Sequence, residues 1–434
     1  MQTIDLVYFD AGGGHRAAAQ ALRGVIAAQR RPWNVRLVQP MHVLDPTDAF
    51  RRVSGMAPED VYNRQLARGW TFGVGSELRA LQAMIRIGHP ALVRSLRAHW
   101  AATRPDLVVS LVPNFNRAMH EALRAARPGL PFVTVMTDFA DVPPHFWIEP
   151  GQDQHLACGT ARAVQQALDA GYAADRVHAT SGMILRREFY QPDPFDRDAA
   201  RRALGLDPRR PTGVVMFGGH GSAQMVRVAQ TLDDVQLLCL CGHNDALLDT
   251  LRTMRRSAPL AAVGFTGEVP RLLRTADFFI GKPGPGSLSE ALHCGLPVVT
   301  FRNTWTMPQE RYNARWVQEN DVGRVVASTR ALAPAVHALL GELDAVRARV
   351  ARTSNRAVFE VVDLLAASPF VHVLNPGPAH WSIFRGLLDS NRPRAHDITD
   401  AWLAAAALEI NATWVSFDRG FGRFKGLRWS DPAA

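Results

Sequence analysis

Repeated runs of apolar strand, glycine-rich turn and helix predict an α/β protein with two Rossmann-like parallel sheets, followed by a small α/β segment. Three stretches carry this. Ile4 to Phe9 is an apolar strand that enters Asp10-Ala-Gly-Gly-Gly-His-Arg and then a helical pattern from Ala17 to Ala28. Thr212 to Phe217 is another, followed by Gly218-Gly-His-Gly-Ser and a helix from Ala223 to Leu232. Phe278 to Ile280 is apolar enough to be buried on both faces, and Gly281-Lys-Pro-Gly-Pro-Gly ends it before a helix. Strands and helices alternate throughout, so the sheets are expected to be parallel. A chain of 434 residues exceeds one ordinary core. The expected domains are residues 1–190, 191–355 and 368–434.

The remaining elements follow in order. Val35 to Val38 reads as the second strand. Between residues 50 and 100, Met56, Trp70, Phe72, Leu78, Leu81, Met84, Ile85 and Ile87 alternate with Arg64, Arg68, Arg79 and Arg86. That mixture suits a membrane interface, but helices packed on the sheet with solvated arginines are the favoured reading. Asp106 to Val112 is a strand ending at Pro113-Asn-Phe-Asn116, and Pro131 to Asp138 is another ending in an acid. His155 to Thr160 reads as the last strand of the first domain. Val235 to Cys241, Ala261 to Phe265 and Leu296 to Phe301 read as strands of the second.

Open α/β sheets bind ligands at the carboxyl ends of their strands. Gly12 to His15, Asn114, Asn116 and Asp138 are therefore expected along one edge. The first loop is not GxGxxG and no acid follows at the dinucleotide spacing, which argues against an NAD site. His15 opens a helix behind three glycines, which favours a functional role over a surface residue. Asp138 either accepts a proton, orients His15, or serves as a loop carboxylate. In the second domain, Ser287 reads as an N-cap with Glu290 three residues on. Helix initiation before Ser287 is not expected. The loop is either a capping box alone, or a set of free N–H groups at a helix N-terminus suited to a diphosphate.

The net charge of +9 and pI near 10.1 call for an anionic partner: a nucleotide, a nucleic acid or an acidic membrane surface. Cys158, Cys239, Cys241 and Cys294 show neither metal spacing nor a disulfide framework, which suits a reducing cytoplasm. No run reaches the roughly 20 apolar residues of a membrane span, and the N-terminus enters a strand without a leader. Membrane contact is expected to be peripheral.

Taken together, these motifs resemble a known family. Asp10-Ala-Gly-Gly-Gly-His-Arg-Ala-Ala-Ala is similar to the N-terminal loop of the diacylglycerol glycosyltransferases, the monogalactosyldiacylglycerol synthases, of glycosyltransferase family 28. Gly281-Lys-Pro-Gly-Pro-Gly-Ser-Leu-Ser-Glu-Ala resembles their donor-site signature. Val133 to Asp138 through Pro144 resembles their acceptor-side loop. Cys241-Gly-His-Asn244 and Gln309-Glu-Arg-Tyr-Asn313 fall in family order. The resemblance covers residues 1 to about 350 and implies a GT-B architecture, two Rossmann-like domains facing a cleft.

It implies an inverting hexosyltransferase, with a UDP-sugar as donor substrate and a lipid hydroxyl, diacylglycerol, as acceptor. No cofactor, metal or nucleic acid is expected. The protein is expected at the inner, cytoplasmic face of the membrane, bound peripherally to an anionic surface. By motif, Glu290 would bind the ribose, Gly284, Gly286 and Ser287 the diphosphate, and Gly218 and Gly219 would line the other side. Phe265 would contact uracil, and Gln309 and Asn313 sugar hydroxyls. His15 would be the base, within reach of Asp138, with Gly12, Gly13, Gly14 and Asn114 on the acceptor side. A non-lipid acceptor is the alternative within the same chemistry.

Residues 369 to 430 resemble something else, the C-terminal half of a toxin-type PIN-domain ribonuclease. Asp400 and Asp418 match two of its metal-holding acids, while the strand with the first aspartate and the segment with the glutamate are absent. Two carboxylates make a poor Mg²⁺ site. A residual appendage is expected. The other reading is a ribonuclease module that a second chain completes, carried beside a nucleotide-binding domain.

Overall fold

The computed structural model describes residues 2–9, 13–44, 74–142, 145–191, 194–304, 306–367, 376–391 and 397–431. The chain divides into two compact units, Met1–Leu365 and Ala366–Ala434.

The first unit holds two six-stranded sheets. In the first lobe, β1 (Gln2–Val7), β2 (Trp33–Val38), β3 (Leu107–Ser110), β4 (Phe132–Val135), β5 (His155–Cys158) and β6 (Val177–Ala179) lie in the order 2-1-3-4-5-6. In the second lobe, β7 (Thr212–Met216), β8 (Gln236–Gly242), β9 (Leu260–Gly264), β10 (Phe278–Gly281), β11 (Val298–Phe301) and β12 (Gly323–Val326) lie in the order 12-11-10-7-8-9. All the pairings are parallel. The strand order reverses between β1 and β3, and again between β7 and β10. Crevices at such points bind ligands.

The expected fold class is borne out, with two strands added. The edge strand β6 is Val177-His-Ala, and none of its residues is fully buried. The edge strand β12 is Gly323-Arg-Val-Val, also without a continuous buried run. Neither gives the apolar signal of a central strand. β10 shows the opposite pattern. Phe278 and Ile280 enter the core on one face and Phe279 the core on the other, all fully buried.

Two boundaries also move. Gly281 stays in β10, and the next helix begins at Pro285, two residues before Ser287. Proline at the first helical position has its φ preset and its missing N–H costs nothing there. The helix after β1 starts at Gly14, with Gly13 at a left-handed φ of 78° as its N-cap.

Val74–Thr103 is a single helix with Pro90 inside it. Met84 and Ile87 on it are exposed, at 62% and 83%. Met56, Arg64, Arg68, Trp70 and Phe72 lie outside the described residues. After β12 the chain returns to the first lobe. Asn355 donates to the Met183 carbonyl at 3.0 Å, and the Ser181 N–H donates to Glu360 at 2.7 Å.

One buried carboxylate ties the second lobe together. Asp277, just before β10, forms ion pairs with Arg197, Arg201 and Arg347 and accepts the Thr212 N–H at 2.7 Å. Burial pushes its carboxyl up, but the Thr212 N–H and the guanidiniums of Arg197 and Arg201 outweigh this and hold it below the usual range.

The second unit contains the helices His380–Asn391 and Asp397–Glu409 and a parallel pair, β13 (Thr413–Val415) with β14 (Arg428–Ser430). Phe384, Leu387, Ala401, Ala404, Ala405, Phe421 and Phe424 form its core.

Asp277→Ala leaves the buried Arg201 and the partly exposed Arg197 and Arg347 without their anion, and is expected to destabilise the protein by about 3–5 kcal/mol in chemical denaturation. The wild-type contribution belongs to a lowered pKa. It is present above the unfolded-state value of about 3.9 and is lost as pH falls through the lower folded-state value.

Candidate active site

The pairing of β7 with β10 brings together the two loops expected to hold the donor. Gly281 lies opposite Met216, so the loops that leave these two strands run side by side. A Cβ on Gly281 would sit 2.3 Å from the Met216 carbonyl oxygen, so the strands approach this closely only with glycine there. Gly218 turns the other loop at a φ of 87°.

Lys282 lies between the two loops. Its Cε is 3.8 Å from the Cβ position of Gly218 and 3.4 Å from that of Gly284. Its Nζ is 3.1 Å from Oε1 of the buried Glu310. The helix Pro285–His293 begins beside it with Gly284 as N-cap. Ser287 lies inside the helix and not at its N-cap, so the capping-box reading of Ser287 and Glu290 does not hold. With Pro285 at the first helical position, Ser287 falls at the third and Glu290 a turn later. The first-turn N–H groups of Gly286 and Ser287 have no intrahelical acceptor. A lysine ammonium, a helix N-terminus and two glycine loops together suit a diphosphate.

The other donor-side candidates differ in what they touch. Glu290 keeps part of its surface open, and burial pushes its carboxyl up to about 7, with Arg186 opposing. Gln309 is partly exposed, and its amide lies 3.8 Å from the Met307 sulfur. Asn313 is fully buried; its Nδ2 donates to the Pro283 carbonyl at 2.8 Å, while Oδ1 has no partner. Asn313 therefore braces the donor loop from behind. Phe265 is 68% exposed and stacks on His243 at 3.7 Å between ring centroids. The His243 N–H in turn donates to the Gly219 carbonyl at 2.9 Å.

The ends of β1, β3 and β4 carry the residues expected on the acceptor side. Gly13 and Gly14 lead to His15, whose Nδ1 is 3.1 Å from the Thr137 hydroxyl; Gly12 lies outside the described residues. Asp138 Oδ2 accepts the Trp147 indole N–H at 2.8 Å, and the Trp147 ring lies 5.9 Å from that of His15. Among the described residues no hydrogen bond joins His15 to Asp138; Thr137 holds the imidazole. Asn114 has a φ of 64° and accepts from Gln82 at 3.0 Å. Asn116 turns inward, where its amide donates to the Trp147 carbonyl at 3.0 Å.

Burial drives the two candidate bases in opposite directions. It lowers His15 to about 4, against a backbone hydrogen bond with Leu111. It raises Asp138 to about 7; the Trp147 indole opposes this, Glu310 and Asp141 add to it, and Lys282 opposes it. Asp138 thus combines a buried place just beyond the end of β4 with a carboxylate of unusually high basicity.

Sequence reasoning assigned no role to Thr137, Trp147, Lys282 or Glu310. The lysine inside the glycine loop was a usable signal. The other three become visible only through their spatial partners.

Residues 214–366 match the glycosyltransferase family 28 C-terminal domain. The likeness is to glycosyltransferase family 28. The chain is 28% identical over 361 residues to a probable monogalactosyldiacylglycerol synthase 2 of Oryza sativa subsp. japonica, covering 74% of this chain and 70% of that relative. It is 24% identical over 389 residues to monogalactosyldiacylglycerol synthase 1 of Arabidopsis thaliana, covering 81% and 68%. A processive diacylglycerol beta-glucosyltransferase of Bacillus licheniformis is 26% identical over 293 residues, covering 64% and 71%.

The fold is shared with the Acinetobacter baumannii MurG crystal structure, at a TM-score of 0.54 and 12% identity over 84% of this chain and 99% of that one. The calicheamicin glycosyltransferase CalG4 gives the same TM-score at 17% identity, over 85% and 98%. The resemblance read from the motifs is borne out, as are the GT-B architecture and the glycosyltransferase class.

A match to the PIN domain spans residues 312–427 and shares residues 312–366 with the family 28 match. In the second unit, Asp400 pairs with Arg423 at 3.0 Å, and Asp418 accepts the Gly420 N–H at 2.7 Å. Among the described residues no group of three or more His, Cys, Asp or Glu is placed to hold a metal ion.

Lys282→Met removes the cation between the glycine loops and leaves the Glu310 carboxylate unpaired. UDP affinity is expected to fall about tenfold or more, read by calorimetry.

Proposed function

We propose that this chain transfers a hexose from a UDP-sugar to the hydroxyl of diacylglycerol, with inversion at the anomeric carbon. One observation carries the donor half. The two glycine loops lie against each other at the β7–β10 reversal, with Lys282 between them and a helix N-terminus alongside. The lipid acceptor is supported by the relatives, whose names specify diacylglycerol products.

The acceptor oxygen attacks the anomeric carbon on the face opposite the diphosphate. The new C–O bond forms as the bond to UDP breaks. Lys282 and the N–H groups of Gly286 and Ser287 stabilise the charge that develops on the leaving diphosphate. Asp138 takes the hydroxyl proton, a role worth roughly 10²–10⁴-fold. His15 is neutral at physiological pH and orients the acceptor from beside Thr137. Glu290 binds the ribose and Phe265 the base. Gln309 reads the sugar, with Asn313 holding the loop behind it.

Membrane attachment is peripheral in this proposal, at the inner face. No helix among the described residues is long and apolar enough to cross a membrane. Met84 and Ile87 are exposed on the same helix as Gln82, which bonds Asn114 on the acceptor side, and Arg86, Arg94 and Arg97 are exposed along it. Apolar residues flanked by arginines suit an anionic lipid surface. The ribonuclease reading is not favoured, because both tail carboxylates are engaged within the unit.

The deciding assay offers UDP-galactose, UDP-glucose and UDP-N-acetylglucosamine with diacylglycerol in anionic vesicles, with products read by mass. A hexosyl-diacylglycerol is expected. Transfer only to a water-soluble acceptor would replace the lipid half of the proposal. Turnover is expected to rise with pH through about 7, because the active form of Asp138 is the deprotonated one and its pKa is raised to that value. Asp138→Asn should remove both the limb and about 10²-fold or more of kcat. His15→Ala should lower kcat with UDP affinity retained.

A further inference from the structure

The two lobes touch beside the proposed base. Phe139 directly follows Asp138 and is 3% exposed. Its ring meets Trp316 edge-on, with centroids 5.2 Å apart at 81°. Trp316 belongs to the helix Arg311–Glu319. The same helix carries Asn313, which bonds the Pro283 carbonyl in the donor loop at 2.8 Å. It follows directly on Glu310, which holds Lys282 at 3.1 Å. Residues three apart on a helix are neighbours on one side, so Asn313 and Trp316 reach the donor loop and the acceptor lobe from adjacent positions. Phe139 also joins an apolar cluster with Leu288 of the donor helix and Val317 of this one. Asp138 is thus fixed on two sides: its carboxylate by Trp147 of its own lobe, its backbone through Phe139 by the second lobe.

We propose that Trp316 is a positioning residue for the transfer reaction: through Phe139 it sets the Asp138 carboxylate against the donor loop, so that filling the donor site orders the acceptor side. A diphosphate competes with Glu310 for Lys282 and bears on Pro283. Both groups are tied to this helix, at its start and at its third residue. A rigid helix passes that displacement to Trp316 one turn on, and Trp316 passes it to Phe139. Glu310 and Lys282 also act on Asp138 through their charges, with opposite signs, so drawing Lys282 toward a diphosphate strengthens the base that Phe139 positions.

The inference rests on the donor-site reading, and the test separates the two. UDP alone is the probe, with the full chain as wild type, Trp316→Leu and Trp316→Phe. Amide exchange is followed at residues 139–142 and 145–148, beside calorimetric UDP binding. In the wild type, UDP is expected to slow exchange there although it binds the other lobe. In Trp316→Leu that protection is expected to vanish while the UDP Kd stays within about threefold; Trp316→Phe, which keeps an aromatic ring, is expected to restore it. With a UDP-sugar and acceptor, kcat of Trp316→Leu should fall about ten- to a hundredfold with donor KM little changed. Undiminished protection in Trp316→Leu, or no protection in a wild type that binds UDP, overturns the inference and leaves the donor site standing. Loss of UDP binding in step with protection overturns it too, because Trp316 would then only support the donor lobe. A wild type that binds no UDP removes the donor-site reading and this inference with it.

Discussion

The parallel pairing of β7 with β10 is the constraint on which the site depends. These strands are separated by β8, β9 and their helices, yet they lie side by side at the centre of the second sheet. Parallel neighbours send their loops out at the same edge. The turn after Met216 and the turn after Gly281 therefore share one small volume, and Gly281 permits the close approach. Lys282 can lie between the loops only because of this pairing, and Glu310 is placed to hold it. The first lobe repeats the geometry at β1 and β3, which sets His15 beside the end of β3 and, one strand over, Thr137 and Asp138.

Two buried aspartates show how surroundings assign a role. Asp277 receives three guanidiniums and a backbone N–H, so its charge is stabilised and it acts as a structural tie. Asp138 receives one indole N–H and lies in the field of Glu310 and Asp141, with Lys282 opposing. Desolvation dominates at Asp138 and is overcome at Asp277. One residue type thus gives a permanent anion in one lobe and a group that titrates near neutrality in the other.

The tail shows the converse. Its sequence keeps two acids of a metal-dependent nuclease pattern, but Arg423 neutralises one and a backbone N–H engages the other. The unit retains its own apolar core. The residues of that core are distinct from the two acids, so packing and site chemistry can vary independently here.

The α/β class, the central strands and the glycine turns were legible in the sequence, because an apolar run ended by glycines has few other foldings. Phe278 to Ile280 is the clearest case. The edge strands Val177–Ala179 and Gly323–Val326 were not legible, since neither is a continuous buried run. The helix start at Pro285 was misplaced because Ser287 and Glu290 imitate a capping box while proline supplies its own preset φ. By itself the sequence determined which segments become strands and which residues stand at their ends, since those are matters of local steric freedom and apolar patterning. Only the tertiary structure decided which ends meet, that Lys282 spans two loops, that Thr137 rather than Asp138 holds His15, and that Phe139 reaches Trp316. Those outcomes follow from strand order and from burial, and both arise between residues far apart along the chain.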